Sequence, residues 1–262
     1  MSIINDVVSK IDSMERELVE YVKNILSFPT TSGNELENQR YIADVLQNEL
    51  KFDEIDMWEP DIDKMRNHEA FITRRENFKG SPNVVGTLKG KGTGKSLILN
   101  SHIDVVPAGN HNEWIYPPFQ GTVDNGNIYG RGVSDMKGNI ASFFIIIKAL
   151  QELDIKLKGD LIIQSVIEEE SGGAGSLACA LRGYSADAAI IPEPTYFKIC
   201  PAQQGSTWFR INISGKAAHG GERYKGISAI DKTIPILHSI NELEKYRNNN
   251  FKNKLYKGIP TP

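Results

Sequence analysis

An α/β fold, with helices flanking a mostly parallel central sheet, is what this sequence predicts, and three observations predict it. Short apolar runs at Asn83–Leu88 and at residues 97–100, 161–167 and 188–191 read as strands. Helical patterns alternate with them, above all residues 138–153, which carry Phe143, Phe144, Ile147 and Leu150. Turn-forming segments separate the runs, among them the glycine-rich stretch 90–94. Alternation of this kind lays helices against a parallel sheet.

The elements follow in order. Val7, Val8, Ile11, Met14, Leu18, Val22 and Ile25 recur at three- and four-residue steps, the apolar face of one amphipathic helix, and Pro29 lies beyond its end. Ser32 and Glu35 have the spacing of a capping box opening a second helix with Ile42, Val45, Leu46 and Leu50 inside. Residues 53–75 are charged and irregular, a short strand and a surface loop. Asn125-Gly126, between Thr122-Val123 and Ile128-Tyr129, is a hairpin signal. Residues 173–181 read as a short helix. After Gln204, Trp208, Arg210, Asn212 and Ser214 alternate with Phe209, Ile211 and Ile213, the period of a half-buried strand. A helix is expected over residues 227–246. One strand and one helix cannot close a core, so residues 204–262 read as the opening of a second domain after a first at 1–203.

Composition narrows the classes. A chain of 262 residues is long enough to bury a core as one domain or one and a fraction, taking about 150 residues per domain. Hydrophobic residues at 40% and charged residues at 24% exclude a disordered chain, a fibre and a membrane bundle. Thirty basic against 33 acidic side chains leave no basic excess for a nucleic acid. Two cysteines, Cys179 and Cys200, cannot build a disulfide framework; both read as buried packing residues, and a reducing, cytoplasmic setting is expected. The first 18 residues carry Asp6, Lys10, Asp12, Glu15, Arg16 and Glu17, unlike a secretory signal. The longest apolar run near the middle, residues 143–147, stops at Lys148. A membrane span needs about 20 apolar residues.

The chemistry gathers at strand ends. Residues 97–100 run into Ser101-His102-Ile103-Asp104, residues 161–167 into Glu168-Glu169-Glu170, and residues 188–191 into Pro192-Glu193-Pro194. Open α/β sheets bind ligands at the carboxyl ends of their strands, so His102, Glu169, Glu170 and Glu193 are expected to converge. Asp135, in Gly-Arg-Gly-Val-Ser-Asp-Met-Lys-Gly before a helix, is a fourth candidate segment. One imidazole with several carboxylates suits Zn²⁺, and also Co²⁺ or Mn²⁺. Asp104 is placed to orient His102, and the adjacent Glu169 and Glu170 repel unless a cation sits between them. Each signal alone has an ordinary explanation: a structural His-x-Asp, a solvated glutamate run, a turn residue, a helix cap. Their joint order favours a metal site.

Other signals lead nowhere. Lys89 to Ser96 resembles a phosphate-binding loop, but Lys89 stands where glycine is needed and a strand follows instead of a helix. The chain has neither Gly-x-Ser-x-Gly nor His-Glu-x-x-His. His68, His111 and His238 have no convergent partners in sequence.

Five segments carry a resemblance: residues 101–107 (SHIDVVP), 129–138 (YGRGVSDMKG), 166–173 (VIEEESGG), 192–195 (PEPT) and 215–221 (GKAAHGG). In this order they resemble the acetylornithine deacetylase, succinyl-diaminopimelate desuccinylase, aminoacylase and carboxypeptidase G family of co-catalytic zinc hydrolases. The resemblance implies that His102 and Glu193 bind one zinc, Glu170 the second, and Asp135 both. It makes Glu169 the general acid/base and Asp104 the residue orienting His102. It makes His219 a lid histidine that reaches a substrate carbonyl oxygen across a homodimer. Glu168 stands where many relatives have Asp. The implied substrate is a small N-acylated amino acid, or a dipeptide for an aminopeptidase or dipeptidase of the same family. In the family the chain returns from the lid to supply a last zinc histidine, whereas this sequence stops at Pro262. A truncated enzyme, or a non-catalytic metal-binding fragment, is therefore the expectation for the chain alone.

Overall fold

The computed structural model describes residues 3–200, 205, 209–252 and 254. The chain divides into two compact units, Met1–Phe197 and Lys198–Pro262.

The first unit opens with α1 (Ile3–Asp12) and α2 (Glu15–Leu26). These are two helices where one was expected. The break falls at Ser13, whose hydroxyl donates to the Lys10 carbonyl, a local bond that competes with the helical ladder. α1 buries nothing, whereas α2 buries Tyr21, Val22, Ile25 and Leu26. α3 (Leu36–Asp44) follows and continues into a wider turn at Val45–Glu49. The expected capping box is not formed. Glu35 accepts from the Gly33 amide and the Ser81 hydroxyl, and Ser32 donates to Glu168. Both side chains are drawn away by partners distant in sequence.

Next come β1 (Glu54–Trp58), α4 (Ile62–Met65), β2 (Asn83–Leu88) and β3 (Leu97–His102). The hairpin β4 (Thr122–Asp124) and β5 (Asn127–Tyr129) turns at Asn125-Gly126, both in the left-handed region, as a two-residue hairpin turn requires. α5 (Gly138–Glu152), β6 (Leu161–Val166), α6 (Ala174–Leu181) and β7 (Ala188–Ile190) complete the unit.

The main sheet has the order β1-β2-β6-β3-β7. β3 pairs in parallel with β6 and β7, while β2 is antiparallel to both β1 and β6. Four of the five strands thus point one way and β2 alone opposes them. The apolar runs of β2, β3 and β6 are continuous because both faces are covered, whereas β7 is exposed. Val84, Leu99, Leu161 and Ile163 pack with the residues of α2, α3 and α5. Their neighbours Val85, Ile98, Ile162 and Val166 pack on the other side with Cys179 of α6. Parallel pairing brings the carboxyl ends of β3, β6 and β7 to the same edge of the sheet.

In the second unit, α7 (Ala229–Asn250) starts at Ser228, whose hydroxyl accepts from the Asp231 amide. Residues 209–214 do not form the expected strand, and Trp208 lies outside the described residues. A strand needs a partner for its backbone groups. Among the described residues of this unit, the one such pairing is the bridge between Lys216 and Ile227. Cys179 is buried as expected, but Cys200 is exposed, in an irregular segment. Among the described residues, no helix is long and apolar enough to cross a membrane.

Candidate metal centre

His102 is the last residue of β3 and is 1% exposed. Its Nδ1 lies 2.8 Å from the backbone oxygen of Asp104. A carbonyl can only accept, so Nδ1 carries the proton and Nε2 is the ring nitrogen turned toward the carboxylates, where it could serve as a ligand atom. The segment after β3 is itself fixed: the Val105 amide donates to the Thr30 carbonyl, and the Thr30 hydroxyl donates to the Ile103 carbonyl.

Carboxylates surround Nε2. The nearest oxygens of Asp135, Glu169 and Glu193 lie at 3.0, 3.8 and 4.0 Å. Among the described residues, two sets bring potential ligand atoms within 4.8 Å of one another: His102, Asp135 and Glu170, and His102, Glu169 and Glu193. The four predicted segments therefore meet, and the imidazole belongs to both sets. The loop that carries Asp135 joins the β4–β5 hairpin to α5. Asn139 on α5 donates to the carbonyl of Pro192 and so secures the residue before Glu193. Lys137 is fully buried, and its Nζ donates to the carbonyls of Ile25 and Phe28 at the end of α2.

The part played by Asp104 differs from the expectation. Its carboxylate is 3.7 Å from Nδ1, and its backbone carbonyl takes the imidazole bond instead. The carboxylate oxygens accept the amides of Glu169 and Glu170, each at 3.1 Å. Asp104 thus ties the turn after β6 to the end of β3.

The electrostatics match a site built for a cation. Burial pushes Asp104 up to about 6, against the opposing pull of His102 and of the two amides. Burial also pushes Glu193 up to about 7, with Glu169 and Asp135 adding repulsion and His102 opposing. Glu170 is raised by burial and by Asp135. Burial pulls His102 toward its neutral form, but Asp104, Glu169, Glu193 and the Asp135 bond outweigh it and raise its pKa. Lys137 is lowered to about 7 by burial, which Asp104 partly opposes. Crowded carboxylates around one outward-facing imidazole nitrogen form an oxygen–nitrogen set that fits a divalent cation.

His219, in the second unit, is exposed, and its Nδ1 accepts from the Gly221 amide. Lys137, Asn139 and Thr30 were not singled out from sequence. Their partners are backbone carbonyls and amides far along the chain, which leave no residue-type signature.

The comparisons with known proteins agree with this geometry. Residues 98–253, more than half of the chain, match the peptidase family M20/M25/M40. N-formyl-4-amino-5-aminomethyl-2-methylpyrimidine deformylase of Halalkalibacterium halodurans is 35% identical over 261 residues, 94% of this chain and 56% of that protein. The deformylase of the same name from Bacillus subtilis is 37% identical over 90% of this chain and 54% of its own length. A probable succinyl-diaminopimelate desuccinylase of Staphylococcus aureus is 32% identical over 87% of this chain and 52% of its own length. The chain thus spans about half the length of these curated relatives. Among solved structures, a di-peptidase of Saccharomyces cerevisiae aligns with TM-score 0.57 at 20% identity, covering 72% of this chain and 40% of that one. Human carnosine dipeptidase 1 aligns with TM-score 0.56 at 20% identity, covering 73% and 41%. At that identity the likeness speaks for the fold. Sequence match, fold and the convergence of His102 with its carboxylates lead to one assignment: the chain belongs to peptidase family M20/M25/M40.

Proposed function

We propose that the protein to which this chain belongs hydrolyses the amide of a small N-acylated amine, releasing a carboxylic acid and the free amine. The observation that carries this reading is the meeting of His102, Asp135, Glu169, Glu170 and Glu193 at one edge of the sheet. The curated relatives, a deformylase and a probable desuccinylase by name, support N-acyl cleavage over peptide cleavage. An acetylated amino acid remains within the substrate class.

In this reading His102, Asp135, Glu170 and Glu193 hold two divalent ions, zinc by preference for this donor set, with Co²⁺ or Mn²⁺ as substitutes. A bound divalent ion supplies Lewis acidity, acidifying water and polarising a carbonyl oxygen. Glu169, beside His102 and half-exposed, takes the proton of the attacking water on a carboxylate oxygen. The water oxygen bonds to the acyl carbon, the C–N bond breaks, and Glu169 returns the proton to the leaving nitrogen. Asp104 keeps Glu169 and Glu170 in place through their amides. Residues 1–203 serve as the catalytic domain and 204–262 as the start of a lid and dimerisation domain. There His219 donates to the substrate's carbonyl oxygen from the partner of a homodimer.

The test is to assay the full-length protein on N-formyl, N-acetyl and N-succinyl amines and on free dipeptides, with metal content measured on the same sample. Acyl-amine turnover with bound zinc supports the proposal. Dipeptide turnover alone would move the assignment to a dipeptidase, and bound metal with no turnover to a non-catalytic role.

A further inference from the structure

The carboxylates of Glu169 and Glu170 accept no hydrogen bond from any described residue, so their aim is set by the backbone turn that carries them. That turn is gripped on one side by Asp104. On the other side, Glu168 adopts φ +62, in the left-handed region that side chains other than glycine avoid unless their surroundings hold them there. Its side chain points inward and is 1% exposed. One carboxylate oxygen accepts the Thr73 hydroxyl at 3.0 Å, and the other accepts the Ser32 hydroxyl at 3.0 Å and Arg75 Nη1 at 3.4 Å.

Arg75 is the cation of this cluster. It also reaches the fully buried Glu35 at 3.5 Å and donates to the Ser81 hydroxyl at 2.8 Å. Its guanidinium lies 5.0 Å from the centroid of the buried Phe78 ring. Ser81 closes the circuit by donating to Glu35 at 2.6 Å. The strap that carries Thr73 and Arg75 also presses on the far end of the turn. A Cβ at Gly172, which is at φ +149, would sit 2.6 Å from the Ile72 carbonyl. Two buried carboxylates share one guanidinium, and removing it leaves both uncompensated.

We propose that Arg75 is a positioning residue for the reaction: through Glu168 and the 72–75 strap it locks the turn that aims Glu169 and Glu170 into the metal centre. The inference rests on the amide-hydrolase reading for the role of Glu169, but the lock itself does not depend on it.

The test is made on the full-length protein with Arg75→Met, Arg75→Met combined with Glu35→Gln, and Thr73→Val. Two quantities are read: kcat against KM, and amide hydrogen exchange over residues 168–173 in the metal-free protein. Arg75→Met is expected to lower kcat about 100-fold with KM nearly unchanged, as a small misplacement of a reacting group does. Exchange over 168–173 should rise while α5 stays protected. The double variant should regain stability, having lost one stranded carboxylate, but neither kcat nor protection. Wild-type kcat and protection in the double variant would overturn the proposal and reduce Arg75 to a counter-charge. If Arg75→Met does not fold, Thr73→Val decides: kcat about 10-fold lower with faster exchange supports the lock, and no change in either refutes it. If the wild-type protein hydrolyses no amide, the functional reading fails, while the exchange data still decide the lock.

Discussion

Where β3 and β6 begin, loop backbones close directly on one another. The amides of Lys91, Thr93 and Gly94 donate to the carbonyls of Leu157 and Lys158, and a Cβ at Gly159 would lie 2.0 Å from the Lys95 carbonyl. Where the same two strands end, side chains face side chains, and acids crowd one imidazole. Gly90 and Gly94 of the Lys89-to-Ser96 segment thus serve close packing against residues 158–159. The first end completes itself; in the proposed reading a divalent ion completes the second. Stability should live at one end and chemistry at the other, and substitutions at each can break or sharpen that contrast.

The largest effect is expected at the open end. In the full-length protein, Glu169→Ala should lower kcat about 10³-fold through loss of proton transfer, with metal content unchanged; normal turnover would remove Glu169 from the mechanism. At the closed end, Gly159→Ala forces a methyl against backbone and should cost about 3 kcal/mol in urea unfolding, with activity per folded molecule intact. Lost activity without lost stability would dissolve the contrast. Asp104→Asn leaves one of the two amides facing an NH₂ group. Metal affinity, measured by competition titration, should fall about 10- to 100-fold.

Metal removal makes the contrast pH-dependent. Asp104 is raised from 3.8 to about 6 and Glu193 from 4.5 to about 7. A carboxyl held above its unfolded value keeps its proton longer in the folded state. Stability of the metal-free protein should therefore fall as pH rises from about 4 to 7, because the unfolded chain ionises first. Adding Zn²⁺ should flatten or reverse that fall, read as Tm across the same range. A metal-free Tm that rises over this window would contradict the crowding argument. The smallest effect is expected for Asn139→Ala, which frees the Pro192 carbonyl at about 1 kcal/mol. A loss of metal affinity of only a few-fold, with the Glu169 turn unaffected, would show that the Glu193 segment is held separately.

β2, β3 and β6 were legible because each is an apolar run with both faces covered, β7 because it is a short apolar run although it is exposed, and His102, Glu169, Glu170 and Glu193 because each follows such a run. Chain order alone placed His102, Glu169, Glu170 and Glu193 together. What escaped was set by distance along the chain. Ser32 and Glu35 have capping-box spacing, yet Glu168 and Ser81 claim them across 136 and 46 residues. Arg75 sits in a stretch that reads as charged loop, and only folding shows two buried acids waiting for it. Residues 209–214 alternate like a strand, but alternation describes a face and supplies no neighbour. The orienting of His102 was expected from the Asp104 side chain; sequence patterns do not display backbone carbonyls.

That last substitution of roles has a consequence for variation. A carbonyl oxygen is common to every amino acid, so any residue at position 104 that preserves the local backbone path would leave the proton on Nδ1 of His102. Mutation can weaken the grip on the Glu169 turn without unsetting the imidazole. The two duties that meet at Asp104 can therefore drift apart: one is written in the genetic code, the other in the polypeptide itself.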